Sequence, residues 1–438
     1  MRKVAEIGIE SLTPSAIGGY DPNKHDDILR GTSIRGLAAW WLRAIVSGKA
    51  YDGGDLQYRE KAINVQKEVF GSTDKSSLLT VVQEVQSMKG INPSFLKRNG
   101  GIDHIRLKLL LMGKKDEDTL LKKMLRIFRG TVKVYSSAKL ESHMDAAMLG
   151  LHAIVLSLLS EGIGKGSRRG LGAVKVSQVT LPDEVRRFLQ SNGYNGLLSL
   201  GQDSEVVLKN VIDDALKLAG KALKEASGKR SGRSLPEIPS LSMRTAEVYV
   251  KKMNLGGTPE ERLIRLNTTL KKLFLRSMAP SGSLPDILQK TKPCQKKTKK
   301  GKIIRVSEAT ALGSYILGLP RAASSPPTSH EYMVKFRTGN TQSCSTSRVK
   351  LSRSTKNQYS GFIGFRNGAY EHYRRASPLI VSLLDERTIV VSFFKSSDWQ
   401  DELQWFTSHQ KTVTAQSVTD AYNIVSNYLR HNFIKVWP

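Results

Sequence analysis

The chain has 438 residues, with 68 Lys and Arg against 39 Asp and Glu, so its formal net charge is +29. So large a charge is self-repelling unless a polyanion offsets it, and we expect nucleic acid, an anionic membrane surface or an acidic protein as the partner. Disorder along the whole chain is not expected, because apolar periodic segments recur along it. The two cysteines, Cys294 and Cys344, predict neither a disulfide framework nor a zinc site.

A membrane is the weakest of these three partners. The most apolar segment, residues 146–159, is interrupted by His152 and Ser157 and is too short to span a bilayer. The N-terminus has no apolar core of the signal-peptide kind. We therefore expect a cytoplasmic protein without a membrane partner.

The first half of the chain predicts alternating strands and helices. Residues 2–12 alternate apolar and polar side chains, as a half-buried strand does. Ser33 is predicted to open a helix and to cap it through its hydroxyl, and an apolar stripe from Ile34 to Ile45 follows. The next predicted elements are strand 78–85, strand 105–112, helix 116–126, strand 128–135, helix 146–160 and strand 173–179. The order β-α-β-β-α-β with an extra helix indicates a ferredoxin-like unit.

The second half predicts helices first and strands later. Helical spacing covers residues 205–226 and 259–276, strands are expected at 378–384 and 388–394, and a closing helix at 415–429. Residues 287–307 hold seven Lys and one Arg without an acid. Such a segment either condenses on RNA with release of counterions or is a solvated loop.

The strongest local motif is the glycine-rich segment 162–172, with five glycines and three cations. Glycine lets a backbone adopt positive φ and approach a ligand closely, and exposed N–H groups in such loops bind anions. The alternative is an ordinary basic surface turn. The residues that we predict to bind RNA here are Gly162, Gly164, Lys165, Gly166, Ser167, Arg168, Arg169, Gly170 and Gly172.

A second motif, residues 30–36, begins the first helix, where N–H groups and a nearby arginine favour phosphate. The alternative is a normally capped helix. From this region we predict contacts to RNA through Gly18, Gly19, Arg30, Ser33, Arg35, Gly36 and Arg43.

Helical spacing places the two tryptophans that follow on different faces of the helix. Trp41 lies on the apolar stripe, whereas Trp40 lies on the Arg43 side and either stacks on a base or packs against a second domain, which we favour.

Neither the histidines nor the acidic residues form a motif for catalysis or metal binding. His25, beside Asp26 and Asp27, is the only candidate for a general base, and a solvated loop histidine is the simpler interpretation. His152 falls within a buried helix and is expected to be a core residue. The sequence therefore predicts no metal and no cofactor.

Together these motifs resemble a known family. Thr13-Pro14 with Ile17-Gly18-Gly19, Ser33-Ile34-Arg35-Gly36 with Trp40-Trp41-Leu42-Arg43, and Phe70-Gly71-Ser72 resemble subunit one of the Cmr complex, the type III-B CRISPR RNA-silencing effector. The segment 162–172 resembles the glycine-rich loop of the wider RAMP (repeat-associated mysterious protein) superfamily. Residues 317–320 and 375–379 resemble later motifs of the same family and follow in the same order along the chain. Residues 191–307 are poorly covered, and Ala38-Ala39 stand where the family often has another basic residue.

The resemblance implies an α+β fold of two ferredoxin-like (RRM-like) domains with helical and loop insertions, which we place at residues 1–182 and 183–438. It implies a non-catalytic RNA-binding subunit near the 3′ part of the CRISPR RNA and its single-stranded target RNA, with other Cmr subunits as partners. Arg374 and Arg375 belong to the same set of predicted contacts to RNA.

Two other functions stay open. Endoribonucleases that process CRISPR RNA share the superfamily and often use a histidine near the first helix, which here would be His25. Their glycine-rich loop tends to lie near the C-terminus, whereas more than 260 residues follow it here. The third possibility is a basic structural component of another ribonucleoprotein.

Overall fold

The structure is a computed structural model that describes residues 1–17, 30–98, 101–102, 117–137, 140–223, 234–271, 363–366, 369–371, 377–398, 402–404, 410–412 and 415–438. Within these ranges helices and antiparallel strands alternate, so the fold is α+β, as predicted. The predicted strand 105–112, the lysine-rich segment 287–307 and the motif 317–320 lie outside them, as do Gly18, Gly19, His25, Arg374 and Arg375.

The first sheet is built from the first half of the chain. Its strands are β1 (Arg2–Ser11), β2 (Ser15–Ala16), β3 (Leu79–Gly90), β6 (Leu125–Ser136) and β7 (Val174–Thr180). The helices between them are α1 (Gly31–Asp52), α2 (Tyr58–Phe70), α3 (Glu117–Met124) and α4 (Met144–Ser160). A two-stranded ribbon, β4 (Lys97–Arg98) with β5 (Gly101–Ile102), follows β3. The main strands lie in the antiparallel order β3-β6-β1-β7, and β2 also pairs with β6.

The second sheet comes from the second half of the chain. It consists of β8 (Ala246–Lys252), β11 (Leu379–Leu383), β12 (Thr388–Phe394) and β15 (Ile434–Trp437), in the antiparallel order β11-β12-β8-β15. A smaller sheet contains β9 (Ile363–Arg366), β10 (Ala369–Glu371), β13 (Glu402–Gln404) and β14 (Gln410–Thr412). The helices of this half are α5 (Asp183–Ser191), α6 (Ser204–Leu223), α7 (Pro259–Lys271) and α8 (Ala415–Asn432).

The second sheet is covered on both faces. Tyr249 and Phe393 point into a core shared with α7 and α8, whereas Val248 and Phe394 join the core that also holds α1, α4 and α6. Because neither face meets water, every residue of β11 and β12 is buried and both strands are nearly continuous runs of apolar residues. One core therefore connects the two sheets through the helices of the first half.

The helical stretch Leu140–Ser160, which includes α4, is long and apolar enough to cross a membrane, but 72% of its most apolar part is buried within the protein. Its neighbours are α1, α2 and α6. The buried His152 contacts the carbonyl oxygen of Met148 through Nδ1 at 2.8 Å, so its predicted place in the core is confirmed. The apolar character of α4 is thus accounted for by internal packing.

The predicted start of α1 is wrong. The helix begins at Gly31, its N-cap is Arg30, and no side-chain hydrogen bond caps it. Ser33 is instead an exposed residue of the first turn. The reason lies in packing against β3, because a Cβ atom on Gly31 would lie 2.3 Å from the carbonyl oxygen of Val81. The helix starts where a glycine permits this close approach.

Candidate nucleic-acid interface

The glycine-rich loop, residues 162–172, is a tight fold of the backbone that requires its glycines. All five have positive φ, between 67° and 110°: Gly162, Gly164, Gly166, Gly170 and Gly172. The N–H of Ile163 donates a hydrogen bond of 2.8 Å to the carbonyl of Gly172. A Cβ atom on Gly172 would come within 1.9 Å of the carbonyl oxygen of Ile163. The loop therefore has a fixed shape that other residues cannot adopt.

One side of the glycine-rich loop is anchored to the segment that follows β1. Thr13 Oγ1 donates a hydrogen bond of 2.7 Å to the carbonyl of Gly170 and accepts one of 2.9 Å from the N–H of Ala173. The N–H of Lys165 donates to the carbonyl of Ala16 at 2.8 Å. These groups hold the loop in place and are not available for a ligand.

The other side of the loop retains backbone donors. The N–H groups of Gly166, Ser167 and Arg168 make no hydrogen bond to any residue that the structure describes. Three successive N–H groups beside residues of positive φ are the arrangement that binds anions. The expected anion-binding backbone is therefore restricted to the middle of the loop.

Arg168 is held by a buried carboxylate. Its Nε donates a hydrogen bond of 3.0 Å to Oε1 of Glu161, whose side chain is only 2% exposed. The same carboxylate accepts a hydrogen bond of 3.2 Å from Nε1 of Trp41 and one of 3.3 Å from Oγ of Ser167. Glu161 was not singled out from the sequence, although an acid between an apolar helix and a basic loop was a signal that could have found it.

The guanidinium plane of Arg168 also lies over the ring of Trp40, with Cζ 4.4 Å from the ring centroid. Its Nη1 and Nη2 donate no hydrogen bond within the described part of the chain, and its side chain is 26% exposed. A guanidinium held by Nε and by one face presents its remaining N–H groups as a fork that matches a phosphate.

Arg169 has a different environment from Arg168. Its Nη1 donates a hydrogen bond of 2.8 Å to the carbonyl of Leu379 in β11. The N–H of Val381 donates to the carbonyl of Arg168 at 3.2 Å, and Arg169 forms an isolated parallel bridge with Val381. The glycine-rich loop therefore joins the first half of the chain to the edge of the second sheet.

The exposed side of α1 lies beside Arg168. Trp40 packs edge-on against Trp41 and against Phe394 of β12, with ring centroids 5.4 and 5.3 Å apart, so the favoured interpretation of packing between the two halves is confirmed. One turn earlier, Gly36 is exposed and a Cβ on it would meet nothing within 4 Å. The exposed Arg35 adjoins it. Open surface therefore extends from Arg168 toward the N-terminus of α1.

Arg43 lies further along the same helix and is half-buried. Its Nη1 donates a hydrogen bond of 2.8 Å to Oε1 of Gln66 in α2, and burial lowers the pKa of Arg43 from its ordinary value. Arginine still stays protonated in proteins. Of the predicted residues, the structure thus brings Arg168 of the loop against α1 at Trp40, and it gives Arg43 a partner in α2.

A second group of cations surrounds Glu247 in β8, whose side chain is 5% exposed. Nζ of Lys395 lies 3.1 Å and Nη2 of Arg430 lies 3.0 Å from Oε1 of Glu247, and Lys435 lies 3.7 Å away. Burial alone would raise the pKa of Glu247, but the charge of Lys395 and the hydrogen bond from Ser426 help to lower it to about 2. Lys395 also lines a cavity of about 520 Å³. This cluster was not predicted, because its members are far apart along the chain.

Within the described ranges, no group of three or more His, Cys, Asp or Glu residues is arranged to hold a metal ion. His152 is buried, and burial lowers its pKa, so that its ring is neutral. The polar groups in the middle of the loop and in the first turns of α1 are N–H groups, hydroxyls and cations. Their chemistry is that of binding an anion.

The sequence model of the RAMP superfamily matches residues 8–175, which include β1, α1 and the glycine-rich loop. The curated proteins contain no match. The crystal structure of Cmr1 from Pyrococcus furiosus in its apo form is similar, with a TM-score of 0.51 and 20% sequence identity over 99% of this chain and 98% of that one.

Two cryo-EM structures of the type III-B Cmr-beta complex bound to cognate target RNA also contain similar chains. In the first, the TM-score is 0.50 with 14% identity, and the alignment covers 98% of this chain and 100% of that chain. In the second, which also holds AMPPnP and is in the presence of single-stranded DNA, the TM-score is 0.52 with 13% identity at the same coverage. At these identities the likeness establishes a shared fold. Over residues 8–175, the sequence is similar to the RAMP superfamily.

Proposed function

We propose that the protein is a non-catalytic RNA-binding subunit of a type III-B CRISPR (Cmr) ribonucleoprotein, with a role in antiviral defence. The observation that carries the proposal is Arg168. Its Nε is held by Glu161, while its Nη groups and the backbone N–H groups of residues 166–168 pair with no described residue. A net charge of +29 gives RNA the electrostatic attraction that phosphate binding needs.

We infer that the ligands are the CRISPR RNA near its 3′ part and the single-stranded target RNA, and that other Cmr subunits are the protein partners. Support comes from the chains of similar fold in two Cmr-beta structures that contain cognate target RNA. The predicted contacts are the residues of the glycine-rich loop and of the start of α1, with Arg374 and Arg375 added from the sequence. We expect the assembly to be cytoplasmic.

We further infer that the two larger sheets are two ferredoxin-like units, with a boundary near residue 182. Without the two-residue strand β2, the first and third strands of each sheet in chain order are central and the second and fourth are at the edges, which is the strand order of that fold. Helices of the first unit cover one face of the second sheet, which supports a rigid arrangement of the two.

The alternative is an endoribonuclease that processes CRISPR RNA through His25. We prefer a binding role, because the groups gathered at the loop are cations and N–H donors, which hold phosphate without an acid and base to cleave it. No observation on the described residues favours the nuclease specifically.

The test is affinity purification of the tagged full chain from its native cells. The proposal predicts that a short guide RNA of defined length and several Cmr subunits come with it. Recovery of the chain with ribosomal or other abundant RNA alone, and without these subunits, would favour a general ribonucleoprotein component instead.

A further inference from the structure

We propose that Glu161 is a positioning residue for RNA binding, a carboxylate that strengthens the grip on a polyanion by fixing Arg168. The inference rests on the proposed RNA-binding function of the glycine-rich loop. Glu161 is negatively charged and buried directly beside that loop, yet it would increase the affinity for RNA.

The geometry of the carboxylate supports this role. Glu161 is the C-cap residue of α4 and is buried. Its two oxygens accept hydrogen bonds from three groups, Trp41 Nε1, Ser167 Oγ and Arg168 Nε. These donors belong to the first helix and to the loop. A single carboxylate therefore fixes the loop relative to α1, and it takes from Arg168 the one nitrogen that points away from the guanidinium fork.

Trp40 supplies the second constraint on Arg168. With Cζ 4.4 Å from the ring centroid, the guanidinium lies over the indole, which is itself fixed against Phe394. An arginine without these two contacts loses rotamer freedom when it binds phosphate, and that loss weakens binding. Arg168 is already ordered, so a phosphate meets its Nη groups in position.

Simple electrostatics and positioning predict opposite effects for Glu161→Gln. The substitution removes one negative charge next to a phosphate site, so a protein that attracts RNA by charge alone should bind more tightly. If Glu161 positions Arg168, the amide cannot accept from both Trp41 and Arg168, the guanidinium is released, and binding weakens despite the additional positive charge.

The experiment measures the affinity of the full chain for single-stranded RNA of guide length at several salt concentrations. Four proteins are compared with the wild type: Arg168→Met, Glu161→Gln, the double variant, and Asp214→Asn. Asp214 is buried in α6 and accepts a hydrogen bond of 2.6 Å from the N–H of Gly196. Its change to Asn alters the net charge and a buried carboxylate in the same way, in a different part of the fold.

We expect Glu161→Gln and Arg168→Met each to weaken binding about threefold to tenfold, as for the net loss of one ordinary hydrogen bond, and to lower the salt slope by about 1. The double variant should bind no more weakly than Arg168→Met, because both changes act on the same interaction with phosphate. Asp214→Asn should bind like the wild type. If Glu161→Gln does not fold, Glu161→Asp keeps the charge but shortens the reach, and it too should weaken binding.

Two outcomes would overturn different parts of the account. The positioning role would be disproved if Glu161→Gln binds RNA as tightly as the wild type or more tightly while Arg168→Met still weakens binding. Where Glu161→Gln does not fold, the same result with Glu161→Asp would disprove it. Unchanged binding by Arg168→Met as well would instead remove the glycine-rich loop from the RNA site, and with it the proposed function of that loop.

Discussion

Nη1 of Arg169 donates a hydrogen bond of 2.8 Å to the main-chain carbonyl of Leu379, 210 positions later in the chain. The adjacent Arg168 is turned toward Glu161 and Trp40. Two neighbouring arginines of one basic loop therefore have different surroundings. One connects the loop to the second sheet, and the other presents donors at the surface.

The first prediction tests the structural role of Arg169 through the stability of the fold. Arg169→Met should lower the free energy of unfolding by about 1–3 kcal/mol, because a half-buried carbonyl is deprived of its charged donor. The control variant is Arg129→Met, at an exposed site on β6, which should change the free energy of unfolding by less than about 0.5 kcal/mol. Urea denaturation measures both. Equal stability of the two variants would contradict a structural role for Arg169.

The second prediction concerns the shape of the glycine-rich loop. Gly172 and Gly193 both have a φ of +67°, but only Gly172 is crowded, since a Cβ atom at that position would lie 1.9 Å from the carbonyl oxygen of Ile163. Gly193→Ala should therefore lower the free energy of unfolding by only about 1–2 kcal/mol, because the left-handed backbone conformation is unfavourable for alanine. Gly172→Ala should cost well over about 3 kcal/mol. Similar unfolding midpoints for the two variants would show that the loop can relax.

The third prediction is a dependence of stability on pH. The pKa of Glu247 is lowered to about 2 in the folded protein, below its value of about 4.3 in an unfolded chain. A lowered pKa stabilises the fold above the unfolded value, and the contribution disappears as pH falls toward the folded value. Glu247→Gln should thus destabilise by up to about 3 kcal/mol near neutral pH.

The difference between wild type and Glu247→Gln should shrink steadily as pH falls from about 5 to about 2. Urea denaturation of both proteins at each pH measures it, and the comparison cancels the titration of the other carboxylates. A difference that stays constant over this range would mean that the charge of Glu247 is not what stabilises the fold.

The sequence predicts those elements whose burial shows in their own residues, and it misses those that depend on partners distant along the chain. The bounds of β12 (Thr388–Phe394) were predicted to the residue, because an apolar run between turns is typical of a buried strand. The strand β8 and the helix α2 were not predicted. α2 buries few apolar residues, and β8 is a short run whose partners, β12 and β15, are distant along the chain.

The candidate site was predicted in part, for a similar reason. Glycines and cations indicate a loop that binds an anion, but the sequence does not tell which N–H groups the fold itself uses. The segment before α1 takes two of them, because the carbonyl of Ala16 accepts from the N–H of Lys165 and the carbonyl of Pro14 accepts from the N–H of Gly172. Glu161 was not predicted because a carboxylate beside a basic loop resembles surface charge until its burial is known.

The fourth prediction concerns catalysis. The purified chain, incubated with RNA of guide length with and without Mg²⁺, should yield no specific products, because the proposed site contains donors and cations without an acid and base pair. The products are resolved on a denaturing gel. Cleavage at a fixed position that disappears in the variant His25→Ala would instead identify the protein as a nuclease.

The most direct test of the central claim, that the glycine-rich loop binds the RNA backbone, is the salt dependence of binding by a Lys165→Met, Arg168→Met double variant. Arg169, which links the loop to the second sheet, is left unchanged, so the fold should survive. We expect weaker binding to all single-stranded sequences alike and a salt slope smaller by about 2, one for each cation removed. An unchanged affinity with an unchanged salt slope would contradict it.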